Sequence, residues 1–322
     1  MKNILFSKSG EVTLKDINRL AQDDIMGLVE MCEGYYDGQL NEVCSHLCNN
    51  PNYKIVLIAG PSGSGKTTTA RKLSEKLINK GKQAVYVSLD DFFKNRDDLP
   101  ILENGETDFE SVNTLDVAEI RKCFGLLLSK GKAVIPYFDF VLGKRHPEKT
   151  TKLEIGENGI VIVEGLHAIN PELTNGIDAF GDKGFYKIYV NPQTRISDEN
   201  DEPVLRKRSL RLMRRMIRDY FFRGSSLENT LMMWQGVCRE EIKTIIPFKE
   251  TADKIVDTTH FYEFCVYHHF LLPIIAKSGV TKKEHKEILD ELTEKLELFY
   301  DVSADVIPKN SMIREFIGEM QG

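Results

Sequence analysis

Residues 60–67 read Gly60-Pro61-Ser62-Gly63-Ser64-Gly65-Lys66-Thr67, which meets the pattern G-x-x-x-x-G-K-[ST] at every fixed position. The glycines let the backbone wrap so that consecutive N–H groups point inward at phosphate oxygens, and a helix starting at Lys66 adds the positive end of its dipole. Lys66 is placed to reach the outer phosphates, and the Thr67 hydroxyl is a hard oxygen ligand suited to Mg²⁺. A glycine-rich turn without a ligand would also contain such residues, but the flanks decide against it. The apolar, β-rich run Lys54–Ala59 precedes the motif and a helical stretch, Lys66–Lys80, follows it. Gly60, Ser62, Gly63, Ser64, Gly65, Lys66, Thr67 and Thr68 are therefore expected to hold a nucleoside triphosphate.

Two further sites supply carboxylates. A second strand, Ala84–Ser88, runs into Leu89-Asp90-Asp91, and strand ends on the carboxyl side of a doubly wound sheet face the ligand crevice. A carboxylate there can take a proton from an attacking hydroxyl or hold a metal-bound water; alternatively it caps the next turn. A third strand, Ile160–Val163, ends in Glu164-Gly165, where such sheets put a metal-linked acid.

The third element is basic. Arg206, Lys207, Arg208, Arg211, Arg214, Arg215, Arg218 and Arg223 crowd one segment, opposed only by Asp219. Runs of this kind are usually solvated faces. In a chain of net charge −6, with a triphosphate site already predicted, arginines over the transferring phosphoryl group are the economical reading. The acidic balance and thin aromatic interleaving argue against nucleic acid as the partner.

These residues need a scaffold, and the remaining pattern supplies one. Further strands are predicted at Tyr186–Val190 and Lys254–Asp257, with helices over 115–128, 204–222 and 227–243. Strands alternating with helices predict an α/β fold built on a doubly wound parallel sheet. Residues 13–48 read as helix broken near Gly34 and Gly38, and Asn49-Asn50-Pro51-Asn52 marks a boundary. Residues 281–300 form a charged amphipathic helix. The predicted organisation is an N-terminal helical segment (1–50), an α/β domain (51–260) and a C-terminal helical extension (261–322) packed on it.

The chain has 322 residues, 41% hydrophobic and 29% charged, which excludes a disordered tail, a fibre or a membrane protein. No signal sequence is expected at the N-terminus, and the most apolar segment, 261–276, is interrupted by Glu263, His268, His269 and Pro273. Six scattered cysteines read as reduced thiols, so a cytoplasmic setting without membrane attachment is predicted. A GTP-driven switch would need guanine-reading motifs. Asn79-Lys80-Gly81-Lys82 lacks the closing Asp, and Asp178-Ala-Phe-Gly181 does not directly follow a buried strand.

Taken together, the motifs resemble the uridine kinase and phosphoribulokinase family of P-loop kinases over about residues 54–257. The resemblance implies ATP and Mg²⁺, with a nucleoside or another small hydroxyl compound as acceptor. It puts Ser88-Leu89-Asp90 at the family's catalytic-base motif. Phe109–Asp116 loosely echoes the acceptor stretch, so that the ribose-binding carboxylate falls on Glu110, with Asp108 as the nearby alternative. Pro136-Tyr137-Phe138-Asp139-Phe140 and the following Arg145 match a further substrate motif. Glu164 with Thr67 corresponds to the metal position. The segment around 204–224 matches an Arg-rich lid, with Arg215 on ribose and Arg218 and Arg223 joining Lys66 and Asp90 in catalysis.

Nearly the whole chain is similar to a bacterial uridine kinase-like subgroup, through Asp108–Ser111, Glu164–Pro171 and Pro308–Gly318. Some members carry an N-terminal domain related to threonyl-tRNA synthetase; only ~50 residues precede the P-loop strand here, fewer than such a domain takes. Relatives often form dimers or tetramers, which leaves a homo-oligomer open. Where pyrimidine-reading members have Tyr and His, this sequence has Phe138 and Gly143. The phosphoryl-transfer parts are thus expected, and the base-reading parts are not. His167, beside Glu164, is read as a packed histidine or a group facing the site. Phosphorylation of another polyol or sugar phosphate, and a regulatory or RNA-binding role, remain the alternatives.

Overall fold

The computed structural model describes residues 11–101, 105, 107–177 and 184–318; the D-x-x-G string at 178–181 lies outside them. The described residues begin with a short strand β1 (Glu11–Thr13) and helices α1 (Leu14–Asp23) and α2 (Ile25–Asn49). Next come β2 (Ile55–Ala59), α3 (Lys66–Asn79), β3 (Gln83–Ser88), α4 (Val117–Lys130), a hairpin of β4 (Lys132–Asp139) and β5 (Lys144–Glu154), and β6 (Gly159–Glu164). The second half contains β7 (Phe185–Asn191), β8 (Arg195–Ser197), β9 (Pro203–Leu205), α5 (Lys207–Phe222), α6 (Leu227–Thr244) and β10 (Lys254–Asp257). It closes with α7 (Tyr262–Lys277), α8 (Lys283–Leu296) and α9 (Arg314–Ile317).

The five strands expected from apolar runs form one sheet in the order β10-β7-β2-β6-β3, parallel throughout. Parallel strands buried on both faces read as continuous apolar runs, and every residue of β2 and β6 is buried. One face packs on α2 and α3 through Tyr36, Leu40, Leu47, Leu73 and Leu77. The other packs on α4 and the hairpin through Phe124, Leu127 and Ile135. A separate apolar core joins α1 and the start of α2 to α5, α6, α7 and α8, around Met213, Met216, Leu231, Phe264 and Leu292.

Two local features differ from the sequence reading. The break in the N-terminal helix falls at Asp24, whose carboxylate caps α2 by accepting from the Gly27 N–H at 3.0 Å. The helix then runs through Gly34 and Gly38, because burial of Cys32, Tyr36 and Leu40 outweighs the roughly 1 kcal/mol cost of each helical glycine. The β4–β5 hairpin was not anticipated. Nearly all of β5 is exposed, so it carries no apolar alternation to read.

Candidate active site

The strand ends converge as a doubly wound sheet requires. From β2 the chain turns through the glycine-rich loop into α3. Gly63 (φ 75°) and Gly65 (φ 86°) sit in the left-handed region, where only glycine is unstrained. A side chain at Gly63 would also meet the Arg211 carbonyl oxygen at 2.6 Å. The first intrahelical bond of α3 is Thr69 N–H to Gly65 C=O, so the amides of Lys66, Thr67 and Thr68 face outward at its positive end. The loop is braced from behind: Thr258 Oγ1 donates to the Ser64 carbonyl at 2.8 Å, and Arg214 Nη1 donates to that of Gly63 at 3.2 Å.

Glu164, at the end of β6, is buried. Its Oε1 accepts from Tyr86 Oη at 3.0 Å, Thr67 Oγ1 at 3.4 Å and Ser88 Oγ at 3.5 Å. Its Oε2 is buried with no partner. Burial raises the Glu164 pKa; the charge of Lys66 opposes this, and the charge of Asp90 adds to it. Asp90 is the second residue of the short 3-10 turn Leu89–Phe92 after β3, with its N–H on Ser88 Oγ at 3.3 Å. Solvent reaches it, yet protein surrounds it on most sides, as in a cleft wall. Desolvation there raises its pKa, against the pull of Lys66 and Arg223. Glu110 behaves alike: desolvation raises it, and Arg215 and Lys66 pull it down. Three carboxylates from three separate segments thus share the field of one lysine.

The arginine cluster is sorted by burial. Arg211 and Arg214 do not face an anion site. Arg211 forms a bidentate pair with Glu241 (2.8 and 2.6 Å), and Arg214 pairs with Glu263 (2.8 and 2.7 Å), both deep inside. Arg215, Arg218 and Arg223 are instead gathered by Asp219, at 3.1, 3.2 and 3.6 Å. Arg215 Nη1 also reaches Ser62 Oγ of the glycine-rich loop at 3.1 Å. The side chain of Arg223 is 58% exposed, against 13% for Arg218.

A cavity of about 340 Å³ is lined by Phe93, Lys94, Arg96, Phe109, Phe138 and Phe140; Phe93 ends the turn that carries Asp90, and Phe109 precedes Glu110 in the chain. Phe138 meets Phe93 and Phe140 at ring distances of 5.7 and 5.1 Å.

The model of the phosphoribulokinase and uridine kinase family matches residues 55–262. This chain belongs to that family. It is a P-loop kinase, a phosphotransferase. The uridine kinase of Halobacterium salinarum is 28% identical over 200 residues, covering 62% of this chain and 77% of the relative. That of Borrelia turicatae is 30% identical over 205 residues, 63% of this chain and 85% of its own. Among solved structures, a possible uridine kinase from Bacillus stearothermophilus aligns with 69% of this chain and 98% of its own at 17% identity and a TM-score of 0.43. Phosphoribulokinase from Rhodobacter spheroides aligns with 66% of this chain and 74% of its own at 17% identity and a TM-score of 0.44.

Within this family member, several predicted acceptor residues make hydrogen bonds that hold the scaffold. Asp108 Oδ1 accepts from the amides of Glu110 and Ser111, both at 3.0 Å, so it shapes the turn that presents Glu110. Asp139 Oδ1 likewise accepts from Val141 and Leu142 N–H at the tip of the β4–β5 hairpin. Arg145 donates to the carbonyls of Phe93 and Phe92 and to Asp116, at 3.0, 2.9 and 3.1 Å, tying the hairpin to the Asp90 turn. A charged residue beside backbone acceptors satisfies them before any ligand arrives, and residue type alone does not disclose that. His167 is packed: its Nε2 lies 2.7 Å from the Glu110 carbonyl oxygen. Thr68, expected on the nucleotide, gives both its N–H and its hydroxyl to Glu315 of α9.

Sequence reasoning missed Tyr86 and Ser88 as supports of Glu164. Polar residues one strand over, in register with Ile162 and Glu164, were the available signal. It also missed Glu263 and Glu241, the buried partners that remove two arginines from the site.

Proposed function

We propose that this chain transfers the γ-phosphoryl group of ATP to a hydroxyl of a small molecule, in the first place the 5′-hydroxyl of a nucleoside. The observation that carries the reading is the convergence of Lys66, Asp90 and Glu164, whose charges act on one another. Asp90 takes the proton of the attacking hydroxyl as its oxygen bonds to the γ-phosphorus and the bond to the ADP oxygen breaks. Lys66 with Arg218 and Arg223 spreads the charge on the transferring group. Glu110 and Arg215 would receive the vicinal ribose hydroxyls, which call for charged partners.

The residues present also fit Mg²⁺. The unpartnered, buried Oε2 of Glu164 and the Thr67 hydroxyl beside it are hard oxygen donors. When bound, the cation would neutralise charge on the phosphates. Tyr86 and Ser88 fix the Glu164 carboxylate for that role.

The cavity is lined mainly by aromatic rings, with Phe138 among them. One observation favours a second acceptor class: Lys94 and Arg96 also line it, and two cations suit a phosphate group better than a neutral base. ADP release should therefore be measured with uridine, cytidine, adenosine, guanosine and inosine, and with pentose phosphates. Acceptor-dependent release with a nucleoside supports the first reading. Release only with a sugar phosphate moves the acceptor. A slow rate indifferent to every acceptor defeats both and favours a regulatory nucleotide switch.

A further inference from the structure

The segment 308–318 near the C-terminus is wedged against the phosphate loop. Glu315 Oε2 accepts from Thr68 Oγ1 at 2.7 Å and from the Thr68 N–H at 3.1 Å. Met312 is fully buried, and a side chain at Gly65 would meet its sulfur at 2.5 Å. Phe316, also fully buried, lies 5.1 Å from the Arg214 guanidinium that holds the Gly63 carbonyl. Ser311 lies 3.0 Å from Tyr262 Oη. The segment is therefore built around the start of α3 and touches it from the loop side.

This matters because of which donor Glu315 takes. A phosphate loop grips its nucleotide with the amides at the helix start, and α3 has three outside its own ladder, those of Lys66, Thr67 and Thr68. An N–H makes one strong bond. While Glu315 holds Thr68, a carboxylate stands where a phosphate oxygen would bind, and its negative charge faces the incoming triphosphate.

We propose that Glu315 is an internal competitor of the nucleotide phosphates, and that nucleotide binding releases the segment 308–318 from the phosphate loop. The proposal rests on the nucleotide-binding reading above and adds a coupled position: the state of the C-terminal segment sets nucleotide affinity, and the nucleotide sets the state of the segment, by the same factor. Whatever pins the segment down weakens nucleotide binding, and whatever draws it away strengthens it.

The test uses the full chain with ADP as probe. E315Q keeps the shape and an acceptor but removes the charge; Glu315→Ala removes both. ADP dissociation constants are read by calorimetry, and hydrogen exchange of amides in 308–318 is followed with and without ADP. Both variants are expected to bind ADP about 5-fold or more tightly than wild type, the lower end of ordinary site-to-site couplings. Exchange in 308–318 is expected to quicken when ADP binds wild type. Unchanged or weaker ADP binding in the variants, or slower exchange in 308–318 with ADP, would show a brace that stays on the loop and would overturn the proposal. The exchange measurement stands even if a variant does not fold. If neither wild type nor E315Q binds ADP, the nucleotide-binding reading itself falls, and the proposal with it.

Discussion

Arg214 is the residue whose loss should be felt most. Its five N–H groups are all engaged: two on Glu263, one each on the Thr258 carbonyl and hydroxyl, and one on the Gly63 carbonyl. Burial opposes its charge, but Glu263 overcomes this and holds its pKa above the ordinary value. Arg214→Met keeps the packing volume and deletes the charge. Glu263, itself fully buried, would then keep only Tyr267 Oη at 2.7 Å and the His260 N–H at 3.1 Å. Breaking one side of a buried pair costs about 3–5 kcal/mol. At roughly 2–4 °C per kcal/mol for domains of this order, the melting temperature should fall by about 6–20 °C. Circular dichroism melts of wild type, R214M, E263Q and the double variant R214M/E263Q close the cycle. The double variant should recover much of the loss, because the stranded charge has gone. A shift below about 2 °C for R214M, or a double variant no better than the single one, would refute this account of the pair.

Lys66→Ala should abolish phosphoryl transfer; turnover within a few-fold of wild type in the ADP-release assay would show the loop assignment to be wrong. Asp90→Asn should lower kcat by roughly 10²-fold or more with ATP binding nearly intact; a collapse of ATP binding instead would make Asp90 structural. The acid limb of kcat/KM should sit above the usual aspartate range, because desolvation raises Asp90 and the base is lost as pH falls through that raised value; a limb near pH 4 would contradict it. The raised pKa values of Asp90, Glu110 and Glu164 mean that the folded state holds more protons than the unfolded state between the ordinary and raised values. Their contribution to stability must therefore decline as pH rises through that window, and urea titrations comparing wild type with Glu164→Gln should show a smaller decline in the variant. If a nucleoside is the acceptor, uridine and cytidine should be preferred over purine nucleosides by less than about a thousandfold, since ring contacts alone discriminate only ~10–200-fold.

How far the sequence disclosed all this depends on what each signal measures. The five strands of the sheet were legible because burial on both faces leaves an unbroken apolar run, as in Ile55–Ala59. The phosphate loop was legible because the motif dictates the backbone. The hairpin β4–β5 was not, since only β4 has a buried face and its exposed partner β5 has no apolar alternation to betray the pairing. Acceptor residues fell between. Glu110 and Asp108 are two acids two positions apart, and only the fold reveals that one accepts the amides that form the turn while the other is left for the cleft. Glu315 lies 247 positions from Thr68, and no local pattern joins them.

The arginine segment shows the same principle at work on charge. Helical spacing puts Arg211, Arg214, Arg215 and Arg218 within two turns, so spacing alone treats them as one patch. Packing divides them. Glu241 and Glu263 neutralise the two that point inward, which is the condition for burying a guanidinium at all. Asp219 cannot neutralise three at once, so Arg215, Arg218 and Arg223 leave a net surplus of positive charge. Of that surplus, Arg223 acts on Asp90 and Arg215 on Glu110, whose carboxyls desolvation pushes toward the neutral form. A triphosphate entering between carboxylates alone would be repelled. On the proposed reading, one entering beneath the arginines and Lys66 meets the cations first, which would leave the acids free for the roles proposed for them.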